Sequence, residues 1–232
     1  APLSIAIVKD GQVLIEVVQN VKKTHSVTAM PTIEHLFQSI NIEPKDIDAI
    51  AVSEGPGSYT GVRIGVTIAK TLAWTLKKPL VGVSSLKILA SNAQLWNGII
   101  CPIIDARREN AFAAVFRGND LTPIMKEQHI GIDELLNVLA KLNEPVMFVG
   151  SVEGFKQKIE QKLGDNATIA PPSMRLPRAS KLVELALEEP LIEGEQVHTF
   201  VPKYHRLAEA EANWISAQKR SGQNGSISEN DR

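Results

Sequence analysis

A chain of 232 residues, 44% hydrophobic and 22% charged, has enough apolar material for a sizeable core in one large domain or two smaller ones. Its formal net charge of −1 excludes the basic field with which a protein grips nucleic acid unaided, so any RNA is held mainly through a partner. The single cysteine, Cys101, excludes an internal disulfide framework and fits a reducing, cytoplasmic compartment, and no apolar run approaches a membrane span or opens as a signal peptide.

"APLSIAIVKDGQVLIEVVQ" predicts two strands about a Lys9-Asp10-Gly11 turn. In "VTAMPTIEHLFQSINI", Met30, Ile33, Phe37 and Ile40 fall at helical spacing, with Ser26 or Thr28 as cap and Pro31 tolerated only near the first turn. "IDAIAVS" (47–53) reads as a buried strand feeding a glycine-rich loop, and a helix from about Thr60 to Lys78 follows. "PLVGVSS" is a further strand and "LKILASNAQLW" a further helix.

After Gly98 the rhythm restarts. Strands "IICPIID" and "AFAAVFR" flank the charged "ARREN"; the helix "IDELLNVLAKL", the strand "PVMFVG", the helix "VEGFKQKIEQKLG", the short strand "ATIAP" and the helix "ASKLVELALEE" follow. Each half thus runs strand pair, helix, strand. Two related α/β lobes are expected, 1–97 and 98–207, with a tail over 208–232 whose polar end, "SGQNGSISENDR", has the composition of a disordered segment.

The loop "SEGPGSYTGVRIG" (53–65) fails the Walker pattern, because Val62-Arg63 stands where the lysine belongs. It also fails the dinucleotide fingerprint: its glycines are spaced wrongly and Pro56 removes a backbone donor. Gly55 and Gly57 permit backbone angles other residues resist, and Ser58 or Thr60 can cap the helix. A turn that launches a helix is the stronger reading; an anion held at the helix start by Gly55, Gly57, Ser58 and Thr60 is the alternative.

In the helix behind the loop, Gly61, Gly65, Ala69 and Ala73 recur every fourth residue and make a shallow groove. On the opposite side Arg63, Thr67, Lys70, Trp74 and Lys77 form one stripe, with the tryptophan among cations as a candidate interface anchor. The competing reading, equally open, is that the small residues let the helix settle on its own sheet and that Trp74 lies under a loop.

No acid, base or nucleophile is assembled in the sequence. The histidines at 25, 35, 129, 198 and 205 form no His-x-x-x-His pair, and no metal site is expected. Cys101 sits in an apolar strand run and reads as a buried, inert thiol. Ser58 lacks the Gly-x-Ser-x-Gly elbow. The one dense charged cluster, Asp105, Arg107 and Arg108 in "DARREN", is read as an ion-pair network at a turn before it is read as an anion site.

"GPGSYTGVRIGVTIAKTLAW" resembles the signature of the bacterial TsaB (YeaZ) family, and "DARREN" resembles its Asp-Ala-Arg-Arg element. "HSVTAMPTIEHLF" is similar to the helix those proteins carry after their opening strands, and "VPKYHR" to a tyrosine-containing element near their end, so the likeness runs from about residue 1 to 207. The resemblance implies an actin-like, ribonuclease-H-like α/β fold of two lobes with mixed sheets, the ASKHA superfamily. It implies a non-catalytic subunit in the making of threonylcarbamoyladenosine beside the tRNA anticodon. The implied partners are a TsaD-like catalytic subunit, a TsaE-like ATPase and, when alone, a second copy of the chain; tRNA is met only through the complex. No cofactor is then bound tightly by this chain, with ATP or ADP placed at the complex interface. The interface is expected on Met30, Ile33 and Phe37 and on the helix carrying Gly61 to Trp74. Members of the family open with a further strand ending in Asp-Thr-Ser, so the resemblance also implies a strand and turn ahead of "APLSIAIV", without which neighbouring strands keep raw edges. The competing functions are a stand-alone actin-fold ATPase or carbamoyltransferase, and a homodimeric binding module unrelated to tRNA. A peptidase is disfavoured by the missing nucleophile–base pair.

Overall fold

The computed structural model describes residues 2–21 and 25–204. The His205-Arg206 end of the tyrosine element, the expected tail 208–232 and the side chain of the candidate cap Ser26 lie outside the described residues.

The first half opens with β1 (Leu3–Lys9) and β2 (Gln12–Gln19), joined in antiparallel register by Asp10 and Gly11. Both turn residues have positive φ, +50° and +74°, as a two-residue turn that matches strand twist requires. Next come α1 (His25–Ser39), β3 (Ile50–Gly55), α2 (Tyr59–Leu76), β4 (Leu80–Ser84) and α3 (Ser85–Ser91). Helix α1 begins earlier than its apolar spacing suggests. Pro31 therefore stands in the second turn rather than the first, and Thr28 lies inside the helix instead of capping it. Ser84 caps α3, its Oγ accepting from the N–H groups of Leu86 and Lys87 at 3.1 and 3.2 Å; the helix ends at Ser91, short of the expected Trp96.

The second half holds β5 (Ile99–Arg107), β6 (Asn110–Arg117), β7 (Pro123–Gly131), α4 (Ile132–Leu142), β8 (Val146–Gly150), α5 (Lys156–Leu163), β9 (Ala167–Ile169) and α6 (Ala179–Ala186), with a single turn, α7 (Gln196–Thr199), further on. Its sheet is mixed and continuous in the order β7-β6-β5-β8-β9, with β6 antiparallel and β8 parallel to β5. Strand β7 has no counterpart among the elements expected from the sequence. Central β5 is an apolar run, Ile99, Ile100, Cys101 and Ile103 all being fully buried, as suits a strand covered on both faces. One covering layer brings Leu86, Leu89, Leu182 and Leu185 to the sheet, and the other brings Leu135, Leu136, Leu139 and Ile159.

The four strands of the first half form two separate pairs, β1-β2 and β3-β4, where one mixed sheet was expected. Between the pairs runs an apolar cleft of about 1970 Å³.

Candidate functional site

The glycine turn joins β3 to α2. Gly55 has φ +109°, and a Cβ on it would stand 2.6 Å from the carbonyl oxygen of Lys203, so both backbone angle and close approach demand glycine. Ser58 is the N-cap of α2, its Oγ accepting from the Gly61 N–H at 3.4 Å. Ser58 and Thr60 are exposed, and Gly57 and Ser58 open on the cleft together with Ser53, Ser85, Asp105 and Arg175. Ser53 and Ser85 share a 2.6 Å hydroxyl–hydroxyl bond there.

The two faces of α2 meet different surroundings. Gly61 and Gly65 line the cleft with Met30, Ile33 and Phe37 of α1, so the structure brings these five together. Ala69 and Ala73 are buried in a core with Val52, Val66 and Leu80. At that end the small residues do let the helix settle on its own strands.

The opposite stripe is partly covered by this chain's own residues 198–204. Lys70 Nζ donates to the carbonyls of His198 and Phe200, at 2.8 Å each, and the Trp74 ring lies 4.0 Å from that of His198. Tyr59 packs on Tyr204 at 5.2 Å, and Arg63 donates to the Tyr59 hydroxyl at 2.7 Å. The strap is pinned where the Lys203 N–H meets the Glu54 carbonyl at 2.7 Å and the Lys203 ammonium pairs with the buried Glu54 carboxylate. The ammonium's hydrogen bond to the Glu54 carboxylate, with that group's charge, raises the Lys203 pKa above the ordinary lysine value against a smaller effect of burial. Gly82 makes room for the strap, since a Cβ there would come within 2.7 Å of Phe200 and Glu54. Trp74 keeps 46% of its surface exposed and Thr67 is open to solvent. Sequence spacing places the stripe on one face but carries no sign that a segment about 130 residues later lies across it.

"DARREN" forms the β5–β6 hairpin tip. Arg107, Arg108 and Glu109 have φ of +65°, +53° and +59°, and Asp105 Oδ1 accepts from the backbone N–H of Arg107 at 2.7 Å. Asn110 Nδ2 donates to the Arg108 carbonyl at 2.6 Å. The cluster is thus first a turn-shaping unit, and of its three candidate residues only Asp105 reaches the cleft wall. Burial pushes the Cys101 thiol far up, which keeps it protonated and unreactive. Among the described residues, no three His, Cys, Asp or Glu side chains gather within reach of one metal ion. No helix among them is long and apolar enough to cross a membrane.

The strand order of the second half, its echo in the first and the glycine turn leading into α2 define a two-lobed protein of the actin-like, ribonuclease-H-like class. Residues 12–214 match the family described as TsaD: tRNA N6-adenosine threonylcarbamoyltransferase. The chain is 42% identical to the tRNA threonylcarbamoyladenosine biosynthesis protein TsaB of Bacillus subtilis over 94% of its own length and 95% of that protein's. It is 32% identical to the TsaB of Buchnera aphidicola from Schizaphis graminum, over 68% and 80% of the two chains. A Pseudomonas aeruginosa structure described as an uncharacterized protein with similarity to peptidase YEAZ shares the fold at a TM-score of 0.72 and 21% identity, covering 88% of this chain and 94% of that one. The chain belongs to the TsaB family.

Proposed function

We propose that this chain is a non-catalytic partner and activator of a TsaD-like enzyme in the threonylcarbamoylation of tRNA adenosine in the cytoplasm. The reading is carried by its membership of the TsaB family, and a helix layer with an open outer face supports it. Val27 and Met30 of α1 are 70% and 45% exposed, an apolar pair on a helix that packs against α2, whose Arg63 and Thr67 are also exposed. Apolar side chains in that setting suit a protein partner. Ile33, Phe37, Gly61 and Gly65 stand behind them on the cleft side. The same face would serve a second copy of the chain when the enzyme is absent. A TsaE-like ATPase joins the assembly in this reading, tRNA is gripped by the complex, and ATP or ADP sits at the joint. There Gly57 and Ser58 at the start of α2, with Arg175 across the cleft, offer groups suited to a phosphate. The lack of a His-x-x-x-His pair in the sequence favours a role without its own metal centre.

Size-exclusion chromatography with light scattering tests the reading, first on the chain alone and then with a TsaD-like subunit, with and without ATP. A mixed complex is expected, and Met30→Asp with Thr67→Arg should weaken it at least about tenfold without changing the thermal midpoint of the chain alone. No complex under any condition overturns the reading. An unweakened complex with the double variant moves the interface elsewhere.

A further inference from the structure

A seam of exposed rings and cations runs along the flank of α2 turned away from the cleft. Tyr59 opens the helix and Trp74 stands near its end, so at 1.5 Å per residue the two rings are set about 22 Å apart. The strap meets the helix at the same two points in antiparallel sense. His198 lies on Trp74 with ring centres 4.0 Å apart, and Tyr204 on Tyr59 at 5.2 Å. Tyr59, Trp74 and Tyr204 nevertheless keep 49%, 46% and 48% of their surface exposed, so each gives one side to its neighbour and leaves another to solvent.

Cations border both ring pairs. The Arg63 guanidinium lies 5.2 Å from the centre of the Tyr59 ring, and Lys77 is exposed about one turn beyond Trp74. Between them Lys70 is pinned by the carbonyls of His198 and Phe200, and its charge stays in the seam. Glu54, the carboxylate beneath the strap, is matched by Lys203, on which Glu127 and Glu189 also act.

The spacing decides which macromolecule this seam fits. A protein hot spot gathers its aromatic anchors into one desolvated centre ringed by polar groups. Here the ring pairs stand at opposite ends, with exposed Thr67, Lys70 and the strap backbone between them. Separate aromatic platforms along a cationic track are the means by which single-stranded nucleic acid is held, bases on the rings and phosphates toward the charges. A duplex keeps its bases stacked inside and cannot use such platforms.

We propose that the seam between α2 and the strap binds single-stranded RNA, one unpaired base stacking at Tyr59 and Tyr204 and another at Trp74 and His198. The phosphates that link them are drawn to Arg63 and Lys70. That the RNA is an unpaired loop of tRNA rests on the function proposed above; the stacking chemistry belongs to this chain alone. With a net charge of −1 the chain holds RNA weakly by itself, and the seam adds to the grip of a complex.

The probe is a fluorescently labelled RNA of about six adenosines, titrated with the full chain at about 50 mM salt and read by anisotropy. Trp74→Ala and Tyr59→Ala should each weaken binding about tenfold with unchanged thermal midpoints, whereas Trp74→Phe and Tyr59→Phe, which keep a ring, should stay within about threefold of the parent. Arg63→Gln should lower the steepness of the salt dependence. Inorganic polyphosphate should compete poorly, because it has charge but no bases. Absence of binding by the parent, equal binding by the Trp74→Ala and Tyr59→Ala double variant, or full competition by polyphosphate overturns the proposal. So does a parent chain that leaves the RNA unbound while the double variant loses the TsaD-like subunit, which would assign the seam to a protein. Failure of the mixed complex alone bears on the function proposed above and not on the seam, since every RNA titration uses the chain by itself.

Discussion

From residue 99 onward, five strands close into one sheet covered on both faces; among the described residues the first half holds two strand pairs on either side of a cleft. The difference does not lie in local propensity, since β1 and β3 are as apolar as many buried strands. It lies in what stands between them. In the second half β5 satisfies two neighbours at once and sends side chains into both core layers, Ile100 to the one with α3 and Ile99, Cys101 and Ile103 to the one with α4. In the first half the equivalent side chains of α1 and α2 line the cleft. Equal truncations in the two halves should therefore cost unequal amounts. Ile103→Ala removes a fully buried side chain from β5 and should destabilise the chain by about 2–5 kcal/mol in urea denaturation. Ile68→Ala, on the cleft wall, should cost about 1 kcal/mol or less. Equal losses would break the comparison and mean that the cleft is filled in solution.

The same contrast governs how much of the molecule was legible in the sequence. The Asp10-Gly11 hairpin and helix α4 stand where turn chemistry and apolar spacing put them, α4 to the residue. Strand β7 escaped because it is an edge strand that begins at a proline and is interrupted by the polar run Lys126, Glu127 and Gln128, so no apolar run announces it. Pro31 was expected to be tolerated only near the first turn; it stands in the second turn of α1, where the helix runs on despite one lost backbone bond. The small-residue row of α2 was legible as a row, but its passage from Gly61 and Gly65 on the cleft, through Ala69 at both cleft and core, to Ala73 in the core depends on which strand lies beneath each turn. That Trp74 lies under a loop was one of the two readings of its stripe, and His198 does cover part of its ring; which segment covers it was hidden, because a contact across about 130 residues leaves no local pattern.

The strap supplies the next test, since it braces the first half from its far side. Gly55→Ala places a side chain on a residue with φ of +109° and drives it against the Lys203 carbonyl. The expected loss is about 1–3 kcal/mol. Intrinsic tryptophan fluorescence should shift as the strap lifts and His198 leaves Trp74. Retention of both stability and fluorescence would show that the strap is not held at Gly55.

The smallest effect expected is also the one that separates the halves by pH. Glu16, on β2, reaches across to the start of α6: its Oε1 accepts from the Ser180 N–H and hydroxyl at 3.0 Å each, and its Oε2 from Arg178 Nε at 2.9 Å. Burial pushes the Glu16 pKa up, but the bonds from Arg178 and Ser180, with the arginine charge, together outweigh it and hold the value below the ordinary glutamate range. A carboxylate whose pKa is lowered on folding stabilises the fold at any pH above its unfolded value, and that contribution is lost as pH falls through the lower, folded one. The docking of α6 on the β1-β2 pair should therefore be intact at neutral pH and weaken below the glutamate range. Glu16→Gln keeps the shape but not the charge and should cost about 1 kcal/mol at neutral pH. The gap between variant and parent should close as pH falls, read as thermal midpoints from about pH 7 to about pH 3. A gap that stays constant would mean that the side chain acts through packing alone, and that α6 is held on the open half by its leucines rather than by this carboxylate.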